Sequence, residues 1–190
     1  MSEQLGFCIE QHLCTGCKAC QVACKDKNNL ELGQLWRKVT ESEGGNYTRE
    51  GNGLKQNVYA YWTSMSCNHC VNPSCVEACP TGAMYKREQD GIVLIDQEKC
   101  IGCGVCKQNC PYDAPQLIEE GKMGKCNYCI DLIQQGKEPQ CVAACPLRAL
   151  HSGPIEELKN KYKGTNKTQD FAETSTEPSI VIVPHKNAVR

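Results

Sequence analysis

Seventeen cysteines in 190 residues constrain this chain more than any other feature. Sixteen of them fall into four quartets. Group one is Cys14, Cys17, Cys20 and Cys24; group two is Cys67, Cys70, Cys75 and Cys79; group three is Cys100, Cys103, Cys106 and Cys110; group four is Cys126, Cys129, Cys141 and Cys145. Pro80, Pro111 and Pro146 follow the last cysteine of groups two, three and four, whereas Lys25 follows Cys24. Aromatic residues make up only 6% of the chain, with two Phe and two Trp. So thin a supply of large apolar side chains needs a second source of stability, either disulfides or metal. The odd cysteine count and the tight spacing argue against a disulfide framework. So does the opening "MSEQLGFCIE", which has no charged n-region, no apolar h-region and no twin arginine, and is expected to carry no export signal of its own.

Group three, "CIGCGVCKQNCP", follows the bacterial ferredoxin run C-x2-C-x2-C-x3-C-P without departure. Three thiolates two residues apart wrap a loop around one face of an iron–sulfur cube, and the N–H groups of that loop can turn toward sulfur. The fourth cysteine is expected to start a helix that leads away, and so to ligate a neighbouring cube. Zinc is the competing reading. Structural zinc sites pair two C-x2-C knuckles across a long gap, and three cysteines within seven residues suit a tetrahedral ion poorly.

The quartets alternate in type. "IEQHLCTGCKAC" (9–20) and "IDQEKCIGCGVC" (95–106) share Ile, an acid, Gln, Cys, Gly-Cys and Cys, while groups two and four begin "CNHC" and "CNYC". "CPTGA", "CPYDA" and "CPLRA" end groups two, three and four. Such an internal repeat signals duplicated architecture. Groups two and three are joined by a turn and the apolar "GIVLI", which makes a contiguous two-cluster unit; group one then pairs with group four by elimination. This predicts four [4Fe–4S] clusters: Cys14, Cys17, Cys20 with Cys145; Cys126, Cys129, Cys141 with Cys24; Cys67, Cys70, Cys75 with Cys110; and Cys100, Cys103, Cys106 with Cys79. Pairing one with two and three with four is the weaker alternative, because residues 25–66 interrupt the first unit.

The predicted architecture is α+β: two pseudo-symmetric bacterial-type 2[4Fe–4S] ferredoxin units, an inserted β-ribbon and an extended C-terminal tail. Its segments are 5–34 (group one), 35–65 (ribbon), 58–90 (group two), 91–120 (group three), 121–154 (group four) and 155–190 (tail). "LWRKVTE" (35–41) and "NVYAYWTSM" (57–65) read as strands around the loop "GGNYTREGNG". Helical pieces are expected after each terminal cysteine, and over 127–136 up to Gly136. In the tail, "IEELKNKYK" (155–163) reads as an amphipathic helix, the polar 164–179 as a linker, and "IVIV" (180–183) as a strand that docks on a partner subunit rather than on its own domain. Cys8 reads as a small buried apolar side chain, and His69 as a hydrogen-bonding or surface residue rather than a ligand. Lys18, Lys107 and Lys125, beside ligands, are either solvated or placed to raise a cluster's potential.

With the quartets, "HLCTGCKAC", "SMSCNHC", "CPTGAMYKRE" and "CVAACPLRAL" in place, the chain resembles the iron–sulfur B subunits of anaerobic dimethyl sulfoxide reductases and, more broadly, the four-cluster subunits of molybdopterin oxidoreductases. The resemblance implies a non-catalytic subunit that relays electrons between a membrane quinol-oxidising subunit and a molybdopterin catalytic subunit. It places the clusters of groups one and four nearer molybdenum. It implies membrane association through partners, on the extracytoplasmic face by co-export with a twin-arginine-signalled partner, with the cytoplasmic face left open. The alternatives are a subunit of another molybdopterin, formate-oxidising or hydrogenase complex, a free-standing polyferredoxin, or a structural metal protein. A net charge of −1 and a pI of about 6.4 give no basic face for nucleic acid. "IVLI" and "IVIV" fall far short of the ~20 residues of a membrane span.

Overall fold

The computed structural model describes residues 3–118, 120–165, 168, 171 and 174–189. The chain starts in β1 (Leu5–Glu10), whose four central residues are buried. Next comes α1 (Ala19–Lys27), which holds Cys20 and Cys24. The inserted ribbon consists of β2 (Lys38–Gly44), β3 (Tyr47–Glu50), β4 (Gly53–Gln56) and β5 (Tyr59–Met65). β2 and β5 pair antiparallel from Lys38↔Met65 to Gly44↔Tyr59, and β3 pairs with β4 from Tyr47↔Gln56 to Glu50↔Gly53. The stretch expected as a loop is thus largely a hairpin. Gly51, at φ +60, leads its two-residue turn, a conformation whose twist matches that of the flanking strands.

The cluster-bearing part continues through α2 (Ser74–Glu77), β6 (Met84–Lys86), β7 (Val93–Ile95), α3 (Val105–Gln108), β8 (Gln116–Leu117), β9 (Met123–Gly124), α4 (Ile130–Ile133) and α5 (Gln140–Ala143). β6–β7 and β8–β9 are two-stranded antiparallel pairs. The chain then forms β10 (Leu150–Pro154), α6 (Ile155–Tyr162) and β11 (Ile180–Val183). Among the described residues no helix is long and apolar enough to cross a membrane.

The helices stand on the other side of the fourth cysteine from where they were expected. α2, α3 and α5 carry Cys75, Cys106 and Cys141, the third cysteine of their groups, and stop before Cys79, Cys110 and Cys145. The proline after each fourth cysteine explains the stop, because it disfavours helical backbone in the residue before it. Group one has Lys25 there, so α1 runs on past Cys24 to Lys27. The expected helix over 127–136 is confined to Ile130–Ile133 and its closing turn. Tyr128 and Cys129 are both left-handed, at φ +60 and +51, and block an earlier start. Gly136 does end it: at φ +71 it donates to Ile133 O, and Lys137 N donates to Leu132 O.

The tail corrects the docking-strand expectation. β11 returns to its own domain and pairs parallel with β1, from Phe7↔Ile180 to Glu10↔Val183, while β10 pairs antiparallel on the other edge of β1. Ile180, Val181 and Ile182 are buried. Four β-branched residues gain more by completing a half-built sheet nearby than by waiting for a partner. The linker expectation for 164–179 falls partly on residues 166, 167, 169, 170, 172 and 173, outside the described residues. Several of its described positions are packed: Phe171 stacks on Tyr112 at 5.1 Å, and Val71 and Asn72 donate backbone N–H groups to Glu177 O and Thr176 O. The main core joins Phe7, Ile9, Ile92, Leu150 and Ile182 to Cys20, Cys67, Cys126, Cys141 and Cys145, so candidate ligands are part of the apolar interior.

Candidate iron–sulfur centres

The four C-x2-C loops share one backbone device. The residue before the second cysteine is left-handed in each: Gly16 at φ +68, His69 at +41, Gly102 at +69 and Tyr128 at +60. In groups one and three the residue after it is left-handed too, Lys18 at +61 and Gly104 at +76. Backbone of this kind curls a short loop around a point and turns N–H groups inward. Sulfur receives one of these, from Tyr128, and N–H groups outside the loops reach three other thiols. Tyr128 N donates to Cys126 Sγ at 3.4 Å, Ala149 N to Cys145 Sγ at 3.3 Å, Met84 N to Cys79 Sγ at 3.4 Å and Met123 N to Cys100 Sγ at 3.4 Å. Such bonds favour a charged sulfur over a neutral one.

Helix packing brings the groups together. α1 lies against α5, and α2 against α3. Cys14, Cys17, Cys20 and Cys145 line one partly open cavity with Ile9, Pro146 and Leu150. Cys79, Cys100, Cys103 and Cys106 line another with Pro80, Met84 and Met123. Cys24 feels Cys141 and Cys129, and Cys126 feels Cys24, Cys67 and Cys141. Cys75 and Cys70 both feel Cys67 and Cys110.

Burial first, then neighbouring thiols, push Cys24 and Cys75 up to about 12 and Cys70 up to about 11, and Cys126 rises as well. Side chains so reluctant to ionise alone, gathered with inward N–H groups, fit a polynuclear cation that takes up their charge. Among the described residues, no three Cys, His, Asp or Glu side chains close on a single-ion position; Cys14, Cys17, Cys20 and Cys145 instead share the lining of one cavity. That geometry and the all-sulfur donor set fit iron–sulfur cubes.

Of Lys18, Lys107 and Lys125, the first two are exposed, and Lys107 pairs with Asp113 at 3.5 Å. Lys125 is buried, its Nζ donating to Val93 O and, at 3.0 Å, to Cys126 O. His69 is buried and accepts Val93 N–H on Nδ1 at 3.0 Å, with its ring edge-on to Tyr128. Burial, then the charge of Lys125, hold it well below the usual histidine range. Cys8 is fully buried in β1, its thiol pushed up to about 12 by burial and then Glu10. Sequence reasoning missed Arg37 and Ser64. Ser64 Oγ lies 3.3 Å from Cys20 Sγ and accepts from Arg37 Nη1 at 3.1 Å. "LWRKVTE" reads only as a strand, and nothing in it marks its arginine as interior.

Comparison with known proteins agrees with this chemistry. The 4Fe-4S dicluster domain family matches residues 58–155, and the 4Fe-4S binding domain family matches residues 11–27. The chain is 46% identical to the B subunit of anaerobic dimethyl sulfoxide reductase of Escherichia coli (strain K12) over 190 residues, 99% of this chain and 92% of that one. It is 44% identical to the protein of the same name from Haemophilus influenzae, over 98% of this chain and 92% of the other. It is also 34% identical to the B subunit of a sulfite dehydrogenase of Allochromatium vinosum, over 96% of this chain and 84% of the other. Two 4Fe-4S families and seventeen cysteines, nine of them buried, are consistent with four [4Fe–4S] clusters. The protein belongs to the family of iron–sulfur B subunits of anaerobic dimethyl sulfoxide reductases, within the molybdopterin oxidoreductases, and is an electron-transfer subunit rather than a catalytic one.

Proposed function

We propose that this chain carries electrons from a membrane quinol-oxidising subunit to a molybdopterin catalytic subunit that reduces dimethyl sulfoxide or a related sulfoxide or N-oxide. The names of the relatives at 44–46% identity support that substrate class. When bound, the clusters supply one-electron carriers, and the chain's own residues hold them in line and exclude water. The ligand sets are Cys14, Cys17, Cys20 with Cys145; Cys126, Cys129, Cys141 with Cys24; Cys67, Cys70, Cys75 with Cys110; and Cys100, Cys103, Cys106 with Cys79. Segments 5–34 and 121–154 form one ferredoxin-like unit, and 58–90 with 91–120 the other, related by pseudo-symmetry. The ribbon within 35–65 and the tail 155–190 flank them. The first two clusters stand toward molybdenum and the last two toward the membrane, on its extracytoplasmic face.

The observation that carries the pairing is the shared cavity of Cys145 with Cys14, Cys17 and Cys20, beneath the packed helices α1 and α5. Cys24→Ser is expected to perturb the cluster of Cys126, Cys129 and Cys141 and to leave that of Cys14, Cys17 and Cys20 near native; Cys145→Ser should do the reverse. Electron paramagnetic resonance of the paired variants reads this directly. If Cys24→Ser and Cys20→Ser disturb the same cluster, the pairing is wrong. About sixteen iron and sixteen sulfide per chain are expected for four cubes. A different molybdopterin partner is the second reading, favoured by similarity to a sulfite dehydrogenase subunit and to a perchlorate reductase subunit. The large subunit that co-purifies with the chain decides between them.

A further inference from the structure

Arg37 is a cation sealed inside the molecule. It is 2% exposed, and among the described residues it has no ion pair with a carboxylate. Its Nη1 donates to Ser64 O at 3.2 Å and Ser64 Oγ at 3.1 Å, its Nη2 to Ser66 Oγ at 2.9 Å, and its Cζ lies 4.7 Å from the centre of the Phe7 ring. All of these partners are neutral. Its Nε–H is buried with no acceptor among the described residues. An interior guanidinium without a counter-charge is costly, and a fold keeps one where negative charge arrives from another source.

That source is the thiols. The Ser64 hydroxyl that accepts from Arg37 also contacts Cys20 Sγ. The guanidinium lies over Phe7, which shares one buried core with Cys20, Cys126 and Cys141, and these thiols with Cys24 favour the arginine's charge where burial opposes it. Cys20 belongs to one proposed ligand set; Cys24, Cys126 and Cys141 belong to the next. We propose that Arg37 is the shared counter-cation of these two neighbouring clusters and a positioning residue that sets their reduction potentials. Each reduction adds an electron, and hence one negative charge, beside a fixed positive charge; that interaction raises the potential. The free Nε–H is the donor available to a cluster sulfur. Lys125 offers a contrast in place. It is buried next to Cys126 and donates to the carbonyl oxygen of Val93, whose N–H bonds His69 inside the Cys67–Cys70 loop, so it faces the junction with the third ligand set.

The inference rests on the proposed ligation, and its test reads something different. The Cys24→Ser series reports which cluster is lost, whereas an Arg37 series reports how far intact clusters shift. In the complete complex with its partner subunits, Arg37→Gln is expected to lower the reduced-to-oxidised ratio of the first two clusters at a fixed poise at least tenfold, a 59 mV shift for a one-electron couple. The third and fourth clusters should move far less, and Arg37→Lys should recover most of the shift. Lys125→Met should instead move the second and third clusters and spare the first. Redox titrations followed by electron paramagnetic resonance measure all of these. Unmoved potentials in Arg37→Gln with full iron and sulfide content would overturn the proposal, as would an equal shift of all four clusters or no recovery by lysine. If Arg37→Gln assembles no clusters, the wild-type complex labelled with guanidinium-15N arginine decides. A nitrogen coupling on the second cluster that vanishes in Arg37→Lys supports the proposal, and its absence from the wild type refutes it.

Discussion

The group-four end and the group-three end of this molecule both open with C-x2-C and close with C-x3-C-P, and they differ in what surrounds those cysteines. Cys126, Cys129, Cys141 and Cys145 are all buried, whereas only Cys106 is buried among Cys100, Cys103, Cys106 and Cys110, and Cys103 is exposed. Group four lies against the three-stranded sheet β10–β1–β11, with Tyr128 donating its hydroxyl to Gly6 O at 2.6 Å and accepting from Gly153 N at 3.2 Å. Group three is backed by strand pairs only three and two residues long. Motif spacing therefore shapes the loop, while burial comes from whatever segment returns to cover it. The more exposed end has less apolar contact to hold it, and should depend more on its metal.

Iron removal should expose that difference most strongly. Chelation is expected to abolish most of the ordered structure, because the interior is lined with thiols that lose their common ligand. Hydrogen exchange should accelerate first over 100–124 and last over β1, β10 and β11. A cooperative, native-like melt of the iron-free protein, followed by circular dichroism, would break the comparison. The next largest effect is expected from truncation after Pro154. It removes Ile180, Val181 and Ile182 from the sheet, each side chain contributing roughly 1.5–3 kcal/mol when fully buried. The sum rivals the net stability of a whole domain. Soluble yield and iron content should both fall, group four before group three. A truncated chain with full iron and an unchanged Tm would show that the sheet is dispensable.

Equivalent glycines sharpen the contrast at single-residue scale. Gly16 and Gly102 occupy the same loop position at nearly the same φ, so alanine meets the same left-handed penalty of roughly 1–2 kcal/mol at both. The neighbours differ. A Cβ on Gly102 would press into the backbone carbonyl oxygen of Gly121, and one on Gly16 into the indole ring of Trp62. The indole belongs to a half-buried side chain, whereas the carbonyl moves only with its backbone. Gly102→Ala should therefore lower Tm and iron retention more than Gly16→Ala; the reverse order would place the rigid contact at group one.

The smallest effect concerns pH. His69 is held neutral in the fold, below its ordinary value of 6.5, by burial and then by Lys125. The unfolded chain takes up a proton near 6.5 that the folded chain refuses, so this residue's contribution is present above that pH and declines as pH falls through it. Tm should drop as the solution is acidified from neutral pH through that value, and His69→Gln should flatten the drop. An equal drop in the variant would assign it to other groups.

Much of the site was legible beforehand because it is written in local spacing. The C-x2-C loops depend on a few consecutive residues, and Cys8 reads as apolar from its own chemistry. In groups two to four the helices precede the fourth cysteine instead of following it, because Pro80, Pro111 and Pro146 disfavour helical backbone there. The ribbon's strands were visible in their β-branched and aromatic runs. Its hairpin tip was not, since exposed, polar β3 and β4 lack the alternation that marks a half-buried strand.

By itself, the sequence determined the chemistry: sixteen thiols in four alternating groups, two of them at the bacterial ferredoxin spacing, because ligand spacing is a property of the covalent chain. Only the tertiary structure decided where "IVIV" goes, which cysteines are sealed from water, and that Arg37, one of 21 basic residues, lies inside among thiols. Those outcomes turn on contacts between residues far apart in the chain. The return of β11 to β1 joins the two ends of the sequence, and Arg37 is enclosed by β1, β5 and the thiols of two groups. The energy of such contacts is set by which surfaces meet and exclude water, and a linear pattern of residue types does not specify that.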